Sequence, residues 1–220
     1  MKINLLKTTT WNYMLLGSVI ITAFIIPCFP SSREETLFKV GYTLIFISAT
    51  FSLDRHKQLI FIVLIVALIL EWISSVFDLK CVFILSKAIK MLFFSFIVFS
   101  LIKHLINSKR VNSRVIVESI SGYILLGIVY AMIISFIMNS DPLAFNIAQT
   151  TPAPSQGSHL SEPLYFGFVT MSTLGYGDIV PLKAYSRSLA TWISISGQLY
   201  IAIIVALLVG KFASGNHDKP

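Results

Sequence analysis

Thr170-Met171-Ser172-Thr173-Leu174-Gly175-Tyr176-Gly177-Asp178 is the stretch on which the reading of this 220-residue chain turns. A backbone that turns successive carbonyl oxygens to one side has to alternate between right- and left-handed conformations. Only glycine adopts the left-handed form cheaply, and Gly175 and Gly177 stand at the two-residue spacing this requires. Such a row of carbonyls can replace the water around a monovalent cation without the strong binding of full charges. Thr173 adds a hydroxyl oxygen at the inner end, and Tyr176 points away to brace the loop. The competing reading of the same residues is a glycine-rich turn between two helices.

Working outward, the surroundings favour the first reading. The chain is 55% hydrophobic and 12% charged, with mean hydropathy +0.81, which places it among membrane proteins. Six spans of near bilayer length can be drawn, over Trp11–Phe29, Leu37–Leu53, Gln58–Phe77, Val82–Ile102, Val115–Met138 and Ser188–Phe212. Trp11–Phe29 is kept as a span rather than a signal peptide, because Ile26-Pro27-Cys28 is no small-x-small cleavage site. Between the last two spans, Pro142, Pro152, Pro154 and Gly157 interrupt any helix. Ser161-Glu162-Pro163 then reads as a helix start that delivers the chain to the glycine pair. Non-helical backbone at membrane depth is tolerated only where protein buries it or where it lines a water-filled path.

Loop charges set the orientation. An even number of spans puts both termini on one side, with Lys2, Lys7, Arg55, Lys57, Lys103, Lys109, Arg110, Arg114, Lys211 and Lys219. The other side holds only Arg33, Lys80, Lys183 and Arg187. The bias makes both termini cytoplasmic in a multi-pass protein of the cell membrane, with the glycine-rich run opening outward. Net charge +7 is therefore a topology signal, and no nucleic-acid partner is expected. Lys103, Lys109, Arg110 and Arg114 read either as a contact with anionic lipid or as topology determinants without a ligand.

Thr173-Leu174-Gly175-Tyr176-Gly177-Asp178 resembles the selectivity filter of tetrameric potassium channels, with Leu174 in place of the usual valine. The resemblance covers Val115 to Phe212 and weakens away from the filter. It implies an all-α transmembrane fold, with a four-span bundle resembling a voltage sensor ahead of a two-helix pore unit. The expected divisions are a cytoplasmic N-terminus (1–10), the sensor-like domain (11–106), a basic linker (107–114), the pore domain (115–212) and a cytoplasmic tail (213–220). Within the pore domain they are an outer helix (115–138), turret (139–160), pore helix (161–172), filter (173–178) and inner helix (187–212). The resemblance also implies passive conduction of potassium through a homotetramer, with no catalysis and no cofactor beyond the permeant ion. That ion would be coordinated at Thr173, Leu174, Gly175 and Tyr176, with Gly177 completing the strand.

The same resemblance assigns supporting roles. Tyr165, Phe166 and Phe168 form an aromatic cuff behind Tyr176, with the Tyr165 hydroxyl in reach of Asp178. Val180, two positions after Asp178, stands where an aromatic residue can bind quaternary ammonium in similar channels. Gly197 reads equally as a bending hinge of the inner helix or as a small residue for close packing. Ile201, Val205 and Val209 recur every fourth residue on one face, with Val205 and Val209 as the constriction. Only Ala213 to Pro220 follows, so no ligand-binding cytoplasmic domain is expected within this stretch.

The first four spans depart from the voltage-sensor pattern. In the every-third frame of the fourth span, Lys87 and Lys90 are followed by Phe93, Phe96 and Phe99. The second span has no carboxylate. Lys39, Glu71 and Lys87 fall in the outer part of the bilayer, where Glu71 is expected to pair with Lys87 or Lys39. Voltage dependence is thus expected to be weak or absent. The alternatives are a voltage-gated potassium channel, or a non-conducting receptor or scaffold with a vestigial pore. Cys28 and Cys81 are expected as unpaired thiols, with a bridge between the first and fourth helices as the alternative.

Overall fold

The computed structural model describes residues 2–52, 80–108, 112–147 and 160–217. Six helices run through them: α1 (Lys2–Ile20), α2 (Ser31–Ser52), α3 (Lys80–Asn107), α4 (Ser113–Ser140), α5 (Ser161–Met171) and α6 (Ala184–His217). A two-stranded antiparallel ribbon pairs β1 (Phe145–Ile147) with β2 (Ile179–Pro181) in the register Phe145↔Pro181, Asn146↔Val180 and Ile147↔Ile179. The stretches Thr10–Cys28, Ala88–Asn107, Ser113–Ser140 and Ala184–Ala213 are long and apolar enough to cross a membrane. The second expected span forms α2 but is not among these four. The third expected span, with Glu71, lies outside the described residues.

The chain divides into two compact units. One comprises 1–28 and 36–126, the other 29–35 and 127–220. In the first, Phe46 of α2 stacks against Phe93 and Phe94 of α3 at ring separations of 4.5 and 5.1 Å, and Tyr42 meets Phe94 edge-on at 5.5 Å. Aromatic pairs at these separations add specific geometry to the apolar burial. After α1, a π turn (Ile21–Ile25) and a 3-10 turn (Ile26–Cys28) carry the chain onward. A Cβ on Gly41 would lie 2.6 Å from Thr22 Oγ1, so glycine lets α2 approach the end of α1. Cys28 is a free, exposed thiol whose Sγ–H donates to Phe24 O at 3.4 Å, so the bridge to Cys81 is not formed.

The phenylalanines of the α3 frame do not share one environment: Phe93 is buried, whereas Phe96 and Phe99 are exposed. Each three-residue step falls about 60° short of a full turn, so the frame drifts around the helix. Lys90, in the same frame, is half-buried with its Nζ 5.8 Å from the Tyr42 ring centroid, a cation–π distance. The Lys87 side chain and its expected partner Glu71 lie outside what is described. Lys39 is half-buried on α2.

A polar cluster that sequence reading missed joins four helices of this unit. Buried Glu118 of α4 accepts from Asn12 Nδ2 of α1 at 2.7 Å and from Arg114 Nε at 2.8 Å, while His104 Nδ1 of α3 meets its other oxygen at 2.5 Å. The Ser52 hydroxyl of α2 donates to the Asn12 side-chain oxygen. A buried carboxylate persists only when its oxygens are satisfied in this way. Arg114, one of the four basic residues read as a lipid contact or as topology determinants, bonds Glu118.

Candidate functional site

The second unit builds the glycine-rich run from three supports. The first is α5. It begins at Ser161, preceded by Leu160, which supplies no side-chain cap. The Ser161 hydroxyl donates to Glu34, whose Oε1 also accepts from the N–H groups of Leu160 and Ser161, both at 3.0 Å. At the other end the helix runs directly into the loop. Ser172 N donates to Phe168 O at 2.9 Å, Thr173 N to Thr170 O at 3.0 Å, and Leu174 N to Val169 O at 3.0 Å. The base of the run is thereby fixed to the last turn of α5.

From this base the backbone alternates hand. Thr173 has φ 61°, Gly175 has φ 57° and Gly177 has φ 81°, with Leu174 and Tyr176 between them outside the positive region. Gly175 and Gly177 were legible from sequence; Thr173 was not, because a β-branched residue at positive φ is a genuine outlier. Its hydroxyl donates to Ser172 O at 2.6 Å. Such strain persists only where surrounding contacts over-determine it, and the α5 hydrogen bonds do so here.

The second support is the outer side. Tyr165 OH donates to Asp178 Oδ2 at 2.5 Å, and Asp178 Oδ1 accepts from Ile179 N at 3.0 Å. The Tyr165 bond is the main cause holding the Asp178 carboxyl below its usual range, and the same bond pushes the Tyr165 hydroxyl up to about 12. Beyond Asp178 the chain enters β2. Val180 is half-buried there, opposite Asn146. Leu182 N donates to Ala144 O at 2.9 Å, and buried Ser186 accepts from Lys183 N at 3.1 Å while donating to Ala144 O at 2.8 Å. These bonds start α6 at Ala184, three residues before the expected Arg187. Asp141, which accepts from Tyr185 OH and from Leu143 N at 3.1 Å, is likewise held below the usual carboxylate range, chiefly by the Tyr185 bond.

The third support is packing behind the run. Phe166 is buried edge-on against Phe145 at 5.2 Å, and the Phe168 ring occupies the space over Gly127 of α4, where a Cβ would lie 2.3 Å from it. The expected cuff therefore reaches β1 and α4. Tyr176 is 67% exposed and Leu174 55%. On α6, a Cβ at Gly197 would sit 2.4 Å from Met171 O, and 2.4 Å from Met171 Cγ. Of the two readings of Gly197, the structure supports close packing. Tyr130 OH of α4 and Ser196 Oγ of α6 lie 2.5 Å apart, a hydrogen bond that fastens the two helices beside this contact. Ile201, Val205 and Val209 continue down α6 as an exposed stripe. Glu34, Gly127 and Ser186 were missed because nothing local in sequence announces which distant backbone they meet.

Residues 120–214, which cover most of α4, the alternating run and most of α6, match a family model described as an ion channel. The match covers less than half of this chain. Relatives bear on the kind. The chain is 31% identical over 76 residues to a protein of Rhodopseudomonas palustris described as a potassium channel, covering 34% of this chain and 18% of that one. It is 36% identical over 63 residues to the mouse potassium voltage-gated channel subfamily A member 5, covering 27% and 10%. It is 32% identical over 72 residues to the human A-type voltage-gated potassium channel KCND3, covering 33% and 11%. The matched stretch thus spans less than a fifth of each of these relatives. The matched stretch coincides largely with the second compact unit.

Proposed function

We propose that the matched stretch forms an ion-channel domain that conducts potassium selectively and passively across the cell membrane as a homotetramer. The alternation of hand at Thr173, Gly175 and Gly177 carries the reading. It gives Thr173, Leu174, Gly175 and Tyr176 the backbone needed to offer carbonyls to a dehydrated cation, with Gly177 ending the strand at Asp178. One such strand cannot enclose an ion, and four around an axis can. Burial supports assembly: α4 has 61% of its apolar window buried within the chain, α6 only 17%. An α6 that lines a four-fold pore would cover its exposed face with neighbouring copies. Its stripe of Ile201, Val205 and Val209 then faces the axis, where narrowing and dewetting close the pore.

Both termini are cytoplasmic in this proposal, and the 115–212 pore domain follows a sensor-like bundle at 11–106. Lys103, which is exposed, together with Lys109 and Arg110, which lie outside the described residues, would meet anionic lipid. Voltage dependence is weak. A unit charge crossing the whole field is worth about 2.3 kcal/mol per 100 mV, so Lys87 and Lys90 could supply at most roughly 5 kcal/mol per subunit per 100 mV. Lys90 already rests over the Tyr42 ring.

Purified protein in liposomes tests the proposal. Potassium flux with reversal potentials near the potassium equilibrium value is expected, as is open probability that changes little with voltage. Equal passage of sodium and potassium would refute selectivity, and a steep sigmoid flattened by Lys90→Gln would restore the voltage-gated alternative.

A further inference from the structure

We infer that Glu34 is a positioning residue for the conduction filter, acting through α5 from a point 126 residues away in the chain. The inference deepens the proposed function and rests on reading residues 173–178 as a filter. Glu34 is only 5% exposed. Its Oε1 gathers three donors at the start of α5: the N–H groups of Leu160 and Ser161 and the Ser161 hydroxyl. The first turn of a helix leaves backbone N–H groups without intrahelical partners, and a side chain beside the first residue usually satisfies them. Here Leu160 offers none. The cap comes from the segment 29–35, which belongs to the same compact unit as α5. A negative charge at this end also complements the helix dipole.

The other end of α5 makes this cap matter for the filter. Eleven residues separate the capped turn from a base in which Thr173, Leu174 and Gly175 all donate back into α5. Gly175 N and Leu174 N share the Val169 carbonyl, at 3.3 and 3.0 Å. Thr173, at φ 61°, donates through its own N–H within this set of bonds. A helix free to slide or fray at Leu160 would pass the displacement along its axis to Val169 and Thr170. Glu34 thus fixes the axial position of the rod on which the strained base is built.

The full chain, reconstituted in liposomes as wild type, Glu34→Ala, Glu34→Gln and Ser161→Ala, provides the test. Two quantities are read: the potassium-over-sodium permeability ratio, and hydrogen exchange at the amides of residues 172–175. Glu34→Ala is expected to lower the ratio on the order of tenfold and to speed exchange at Thr173 and Leu174 by a similar factor. Glu34→Gln keeps a carbonyl oxygen for the backbone donors and should stay within about threefold of wild type. Ser161→Ala, which removes one donor, should fall between them and decides the matter if Glu34→Ala does not fold. A Glu34→Ala protein with wild-type ratio and wild-type exchange at 172–175 would overturn the inference, even with lowered thermal stability. So would exchange changes confined to residues 160–162. If wild type itself fails to select potassium, the conduction reading fails, and exchange alone still decides whether Glu34 holds this base.

Discussion

Replacing Gly197 by alanine tests the packing between α6 and the base of the filter. The added Cβ would lie 2.4 Å from Met171 O and 2.4 Å from Met171 Cγ. Carbon atoms in comfortable contact stand about 3.5 Å or more apart, so the neighbours must give by about 1 Å. Met171 Cγ can swing aside. The carbonyl cannot, because it belongs to the last turn of α5, two residues before Thr173. Overpacking of this kind typically costs about 1–3 kcal/mol, or about five- to a hundred-fold in the equilibrium between intact and displaced arrangements. The expected outcome is lower thermal stability together with a weakened preference for potassium, read from reversal potentials in mixed potassium and sodium. Met171→Ala in the same chain should restore only part of the loss, since it relieves the side-chain contact and leaves the carbonyl. A hinge role would give a different pattern, with reduced opening and unaltered selectivity. An alanine variant with wild-type melting and wild-type reversal potential would refute the packing argument.

Gly177→Ala meets no neighbour within 4 Å, yet its φ of 81° puts any Cβ in a left-handed conformation that costs about 1–2 kcal/mol; loss of potassium selectivity with an intact assembly is expected, and an unchanged reversal potential would refute it. Tyr165→Phe removes the donor to Asp178. Because the Asp178 pKa is lowered and that of Tyr165 raised to about 12, the bond is intact at neutral pH, is lost as external pH falls through the lowered carboxylate value, and is lost again as pH rises from about 10 through 12. Wild-type selectivity should therefore hold flat between about pH 5 and 9, and acidification through the lowered Asp178 value should weaken it as Tyr165→Phe does. Arg114→Ala leaves part of a buried carboxylate unpaired and should destabilise the first unit by about 3–5 kcal/mol, with Arg114→Ala/Glu118→Gln milder than Arg114→Ala alone in thermal melts.

What was legible in sequence was what is encoded locally. Spans, the α5 start and the glycine pair follow from apolar length, a serine before proline and a two-residue glycine spacing. The reach of Tyr165 to Asp178 was anticipated from the resemblance to potassium-channel filters. Thr173 at positive φ was not, since its side chain argues against the conformation that α5 imposes. Glu34, Glu118 and Gly127 escaped for another reason. Each matters through a partner far along the chain, and neither a carboxylate among loop charges nor a glycine in an apolar helix declares its partner.

The length of α6 ties the pore to the membrane around it. Its apolar part, Ala184–Ala213, is 30 residues, or about 45 Å of helix, against a hydrocarbon layer of about 30 Å. Tilt alone would have to approach 50° to hide that excess, more than transmembrane helices ordinarily adopt. The helix therefore both leans and projects beyond the layer. Thinner and thicker bilayers then demand different inclinations of the same rod, and the stripe of Ile201, Val205 and Val209 rides on that inclination. In the proposed tetramer, lipid chain length would then set pore width through that inclination.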